Sequence, residues 1–193
     1  NLAHVLEVPG MLTAQAYITT DLDDNQITAF HPGAMNEAHR NAVPAGGKSG
    51  IELGIVSPDG RQGMLEHAAQ LHAAGIPLLF DPGQGLPMFD GDDLRHFVER
   101  ATWVAVNDYE ARLLVDRTGW SEEQVAGKVR ALIVTHGASG STIRAGGECC
   151  EIPAVRPRAV LDPTGCGDAY RAGLLHGIAR GLSWGDTGRL ASL

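Results

Sequence analysis

The chain has 193 residues, 44% of them hydrophobic and 20% charged, with a formal net charge of −8 at pH 7. That length suits one α/β domain with a small appendage and is ample for a packed core. An acidic balance without any Lys/Arg run argues against a surface built to grip nucleic acid, and no apolar run reaches the ~18 residues of a membrane span.

The N-terminus, Asn1-Leu2-Ala3-His4-Val5, has no basic-then-apolar signal segment. It lacks an initiator Met, and the expectation is a piece of a longer protein. Cys149 and Cys150 are adjacent, Cys166 stands in a Gly-rich loop, and no C-x-x-C pair offers a zinc site. This usage predicts a reduced, cytoplasmic compartment.

The first third reads as β. Residues 4–9, residues 14–19 and Gln26–His31 are short segments, broken by Pro9-Gly10 and by the acidic turn Asp21-Leu22-Asp23-Asp24-Asn25. Asp and Asn tolerate left-handed backbone, so this turn suits a hairpin. Pro32-Gly33-Ala34 ends the unit, and residues 45–50 read as a flexible turn.

From Ile51 the rhythm changes. A strand is predicted over 51–57, then a helix over 60–74 with Met64, Leu65, Ala68, Leu71 and His72 toward one side. A buried strand over 76–80 ends at Asp81-Pro82-Gly83. A helix over 92–100 and a strand over 103–106 lead to Asn107. Helices follow over 108–116 and from Ser121, an N-cap. The strand Ala131–Thr135 ends at His136-Gly137, and β segments over 141–144 and 148–152 come next. Residues 159–161 lead into Asp162, and a long helix occupies 167–180. The last residues, Leu190 to Leu193, lie in a helix that the chain end interrupts.

Strands alternating with helices imply a mainly parallel sheet covered by helices on both faces. Such sheets bind ligands beyond the carboxyl ends of their strands. Asp81, Asn107, Thr135 and Asp162 each follow an apolar strand, so these polar side chains are expected to converge on one edge. The early β unit breaks the alternation and reads as a small lid.

The sharpest motif is Asp162-Pro163-Thr164-Gly165-Cys166-Gly167-Asp168. A Gly-rich turn opening a helix presents free N–H groups and the positive end of the helix dipole, which together make an anion hole. That environment suits a phosphoryl group in transit, and a first-turn carboxylate can take a proton from an attacking hydroxyl. The same residues also fit a plain strand–turn–helix whose Asp complements the dipole. Asn107-x-x-Glu110 is either a helix capping box or a pair ordering a magnesium-bound water. In Thr135-His136-Gly137-Ala138-Ser139-Gly140 the glycines serve either a tight turn or close approach of a nucleotide. His67, His72 and His96 lack metal-ligand spacing, and without Gly-x-x-x-x-Gly-Lys-Ser/Thr a P-loop kinase is excluded.

In this order, these motifs resemble those of the ribokinase/PfkB carbohydrate kinases, whose signature is D-T-x-G-A-G-D, preceded by T-x-G-x-x-G and N-x-x-E. The resemblance covers nearly the whole chain and implies a ribokinase-like three-layer sandwich plus a small β lid. It places the lid and its connections in residues 1–34 and the kinase domain, incomplete at its C-terminus, in residues 35–193. It implies an ATP-dependent kinase acting on a hydroxymethyl group of a sugar or nucleoside. Carried over by position, Asp168 is the base, and Gly165, Cys166 and Gly167 form the hole. Asn107 and Glu110 hold Mg²⁺ through water, and Thr135, Gly137, Gly140 and Thr164 meet the nucleotide. The family also admits a monovalent cation and a homodimer through the lid. Cys166 stands where Ala is usual, and Pro163 precedes Thr164. Asp81-Pro82-Gly83-Gln84 matches D-x-N-x-R only at its Asp, which is expected to face the phosphates. Residues 27–30 with Gly33-Ala34-Met35 match the lid strand and a G-A-N segment. His31 to Met35 with Asp162 to Arg171 look most like bacterial adenosine-kinase-type members. Two readings compete. A non-catalytic binding or regulatory module would keep the fold without the chemistry. A dinucleotide-binding oxidoreductase would need G-x-G-x-x-G after an early strand, whereas Gly165-x-Gly167 comes late.

Overall fold

The computed structural model describes residues 4–21, 26–44, 50–159 and 164–193. A six-stranded sheet has the order β3(Gly54–Val56), β4(Leu78–Phe80), β5(Trp103–Asn107), β6(Ala131–Thr135), β7(Ser141–Ala145), β8(Glu148–Ile152). Strands β3 to β6 run parallel, and β7 and β8 complete the sheet antiparallel. Helices α1(Arg61–Ala73), α2(Gly91–Arg100), α3(Asp108–Thr118), α4(Glu122–Ala126), α5(Cys166–Ala179) and α6(Trp184–Ala191) supply the other layers.

Each central strand is buried on both faces, and its residues alternate between two cores. Leu78, Phe80, Val104, Val106, Leu132 and Val134 join Met64, Leu94, Phe97 and Leu114 from α1, α2 and α3. Leu79, Trp103, Ala105, Ala131 and Ile133 join Leu174 of α5 and Ala191 of α6. This period-2 division of a continuous apolar run is what a helix-covered parallel sheet requires. In the first core Phe80 stacks on Phe97 with ring centres 4.4 Å apart, and Phe89 meets Phe97 edge-on. On the other side, small residues form a seam. A Cβ on Gly173 would lie 2.6 Å from Ala191 Cα, one on Gly177 2.7 Å from the Thr187 side chain, and one on Gly188 2.5 Å from Ile152 Cγ1. The backbones of α5, α6 and β8 therefore lie closer than any larger side chain would permit.

The expected hairpin forms. β1(Gln15–Thr20) and β2(Gln26–His31) pair antiparallel and, among the described residues, share no sheet with β3–β8. Residues 22–25 of its turn lie outside the described residues, as do 45–49 of the expected flexible turn and 160–163.

Several expected elements differ. Residues 4–9 form no strand: Val5 and Leu6 are exposed, and a turn closes with Met11 N–H donating to Val8 O. With no partner strand, an apolar extended segment gains nothing from the ladder. The strand expected over 51–57 pairs only at Gly54–Val56, because among the described residues β3 has a neighbour on one side only. A 3₁₀ helix over Gly33–Arg40, which the turn-like Pro32-Gly33-Ala34 concealed, packs on α1 where Gly60 and Gly63 leave room. α3 runs two residues past its expected end, its last turn held by Thr118 Oγ1 donating to Leu114 O at 2.6 Å.

Candidate active site

β4, β5 and β6 are parallel neighbours, so their carboxyl ends open on one edge. At the end of β4 stands Asp81, only 8% exposed. Its backbone N–H bonds Val56 O of β3 at 2.9 Å, and Ser57 Oγ donates to its Oδ2 at 3.5 Å. Arg171 Nη2 of α5 donates to Asp81 Oδ1 at 2.9 Å, and both side chains are about nine-tenths buried. Asp81 therefore faces an Arg on α5 at the carboxyl end of β4.

At the end of β5, Asn107 caps α3. Its Oδ1 accepts from Glu110 N at 2.8 Å, and Glu110 Oε2 accepts from Asn107 N at 2.8 Å. Asn107 Nδ2 also donates to Glu110 Oε1 at 2.9 Å. This is a complete capping box, so the structural half of the sequence reading is realised. Glu110 is buried, and its pKa is raised, chiefly by loss of solvent. The Asn107 backbone N–H and Arg171 pull the other way, while Asp81 and Asp108 add to the rise. Asp81, Glu110 and Arg171 thus share one electrostatic environment.

Thr135, at the end of β6, is the register partner of Asn107. His136 N–H returns to Gly140 O at 2.8 Å, closing the turn that contains Gly137. The two glycines differ physically. Gly140 has φ +96°, and a Cβ there would lie 2.1 Å from Ile152 O, so β8 alone demands a glycine. Gly137 has φ +56° with nothing within 4 Å of a Cβ. Only Gly137 leaves free space beside its backbone.

Thr164 and Gly165 lead into α5; Asp162 and Pro163 lie outside the described residues. Gly165, the N-cap, has φ +81°, left-handed, and as a glycine offers no capping side chain of its own. Cys166, Gly167 and Asp168 occupy its exposed first turn. The first three N–H groups of a helix have no intrahelical acceptor, and here they stand at the positive end of the dipole. Asp168 lies one turn before Arg171, which ties this helix to the end of β4. The sequence-predicted residues from three strand ends and the α5 loop are thereby gathered at one edge.

Sequence reasoning passed over Arg171, Tyr170 and Ser141. The signal for Arg171 was a charge breaking the inward stripe Arg171, Leu174, Gly177 of α5. Tyr170 shares a 2.7 Å hydrogen bond with Ser141 Oγ of β7, and burial raises its phenol pKa. Among the described residues no three His, Cys, Asp or Glu side chains are grouped to bind a metal directly.

The model of the pfkB family carbohydrate kinases matches residues 1–193. The chain belongs to this family. A nucleoside kinase of Methanocaldococcus jannaschii is 32% identical over 169 residues, 88% of this chain and 55% of that protein. Its structure, described as an archaeal member of the ribokinase family, superposes with a TM-score of 0.87 over 95% of this chain and 60% of that one, at 30% identity. The Burkholderia thailandensis nucleoside kinase in complex with inosine is 57% identical, with a TM-score of 0.95 over all of this chain and 63% of that one. The same enzyme has been seen with ADP-inosine at a TM-score of 0.90, covering 96% of this chain and 57% of that one. This pfkB-family chain thus has the ribokinase-like α/β fold and spans less than two thirds of the length of these relatives.

Proposed function

We propose that the whole protein transfers the γ-phosphoryl group of ATP to a hydroxymethyl group of a nucleoside. The observation that carries this reading is the α5 N-terminus: a left-handed Gly165 turn with Asp168 on the exposed first turn, tied through Arg171 to the strand ends. The Burkholderia relative seen with inosine and ADP-inosine supports a nucleoside acceptor and an adenine nucleotide donor. Adenosine and inosine are the first acceptors to test.

In this reading Asp168 accepts the proton of the acceptor hydroxyl as its oxygen bonds to the γ-phosphorus. The β–γ bridging bond breaks, and ADP leaves with that electron pair. The backbone N–H groups at Gly165, Cys166 and Gly167 stabilise the equatorial charge. Thr135, Gly137 and Thr164 line the nucleotide, and Gly140 shapes the turn that presents Gly137. Asn107 and Glu110 would hold Mg²⁺ through water. Their hydrogen bonds to each other use one lone pair per carboxylate oxygen and leave others, and hard oxygen donors suit an ion that keeps its waters. When bound, it neutralises phosphate charge. The hairpin, with Tyr17, Ile18, Ile27 and Phe30 exposed, serves as the lid of residues 1–34 over the domain of 35–193, and its outer face meets a second copy. No helix among the described residues is long and apolar enough to cross a membrane, and the proposed compartment is the cytoplasm.

The test is phosphoryl transfer from ATP to a panel of nucleosides and sugars by the full-length protein, with and without EDTA and with Na⁺ or K⁺. Nucleoside phosphorylation abolished by EDTA is expected. Nucleoside and ATP binding without turnover would replace the kinase by a binding module.

A further inference from the structure

Residues 166–169, the first turn of α5, are exposed. Its anchors come next in sequence. Tyr170 reaches β7 through Ser141, and Arg171 reaches the end of β4 through Asp81. In the sheet order these strands are separated by β5 and β6, a span of about 14 Å at the usual strand spacing. Consecutive helical residues project about 100° apart, so the two side chains diverge and grip the sheet on either side of the helix axis. Both grips are buried at the sheet end. Ser141 is 3% exposed and Asp81 8%. Arg171 spends one nitrogen on Asp81, while among the described residues its buried Nε has no hydrogen-bond partner. A guanidinium with an unsatisfied donor is poorly explained as optimised pairing; what the contact fixes is the place of the helix.

We propose that Arg171, with Tyr170 as its counterpart, is a positioning residue that fixes the first turn of α5 over the strand ends and so aims Asp168. Both act through the helix that carries Asp168, by way of Ser141 and Asp81. The functional consequence of the tether rests on the kinase reading, and its structural consequence does not. Because Asp81 follows β4 and also influences Glu110 at the start of α3, the Arg171 tether joins the Asp168 half of the site to the Asn107–Glu110 half. Asp81, a candidate phosphate-facing residue by sequence, becomes part of the tether.

The experiment uses the full-length protein and amide hydrogen exchange together with steady-state kinetics. Arg171→Gln keeps much of the length and loses the charge. Amides of residues 166–170 should exchange about tenfold faster or more, while those in the buried strands β5 and β6 keep their protection. Mispositioning by about 1 Å predicts a kcat 10- to 100-fold lower, with KM for ATP and nucleoside within about threefold. Arg171→Lys should restore both, because one nitrogen makes the contact, and Tyr170→Phe should show a smaller shift in the same direction. Unchanged exchange at 166–170 in Arg171→Gln overturns the proposal. So does exchange that rises equally across β5 and β6, or a Lys variant as damaged as the Gln variant. Should Arg171→Gln fail to fold, Arg171→Lys and Tyr170→Phe decide by the same criteria. If the wild type transfers no phosphate, the kinase reading falls alone, and the exchange measurements still settle the tether.

Discussion

Replacing Gly140 and Gly137 in turn with Ala separates what the fold requires from what a nucleotide would require. At Gly140 the backbone sits at φ +96°, ψ −140°, close to a region that only glycine adopts readily, which costs a side chain about 1–3 kcal/mol. The added Cβ would also press to 2.1 Å from Ile152 O and 2.9 Å from Ala154 N, both backbone atoms that yield only if β8 shifts. Overpacking of this kind costs about 1–3 kcal/mol, so Gly140→Ala should lose roughly 4 kcal/mol in total. For a chain of this size that lowers Tm by about 8–16 °C. Gly137→Ala meets no neighbour and carries only the left-handed penalty of about 1 kcal/mol, or about 2–4 °C. Scanning calorimetry with and without ATP measures both. Gly137→Ala should lose most of the ATP-dependent rise in Tm while the unliganded value drops only by that smaller amount. A Gly140 variant melting within about 3 °C of wild type would refute the close-approach reasoning.

Asp168→Asn should lower kcat by about 10²–10⁴ with ATP affinity and melting nearly unchanged, measured by steady-state kinetics beside thermal melts; near-normal turnover removes Asp168 as the base. The raised pKa of Glu110 has a pH signature. Burial disfavours its ionised form, so the folded state binds the proton more tightly than the unfolded one, and stability falls as pH rises from the ordinary glutamate range through the raised value. Glu110→Gln removes that dependence. The melting temperature of the wild type relative to this variant should therefore drop between acidic and neutral pH, as melts across that range would show. Phe80→Ala should cost about 3–5 kcal/mol by removing the partner stacked on Phe97, read from denaturant unfolding.

The parts of the fold legible in the sequence were those governed by a single physical effect. β6 occupies the residues its apolar run predicts, since a strand buried on both faces cannot be mistaken for its polar flanks. Asn107 and Thr135 were placed on one edge by strand ends alone. What sequence could not show depended on partners distant along the chain. Residues 4–9, largely exposed, had the composition of a strand and, among the described residues, no strand to pair with. Asp81 and Arg171, separated by 90 residues, disclose each other only in space. Whether Gly140 served a ligand or a neighbouring strand was invisible until Ile152 O was seen beside it. On β8, the outer strand among the described residues, Cys150 packs against the second core while Cys149 is exposed.

The glycine seam gives α5 the mechanics of a cantilever. Its rear half is clamped where Gly173 and Gly177 meet α6, and its tip carries Asp168 nine residues ahead of Gly177, about 13 Å away at 1.5 Å per residue. A tilt of about 5° at the clamp would swing that tip by about 1 Å, more than the ~0.5 Å a productive site tolerates. Small residues at the root of the helix therefore bear on aim at its far end. A methyl group added at Gly173 would act as a wedge, felt at a loop it never touches.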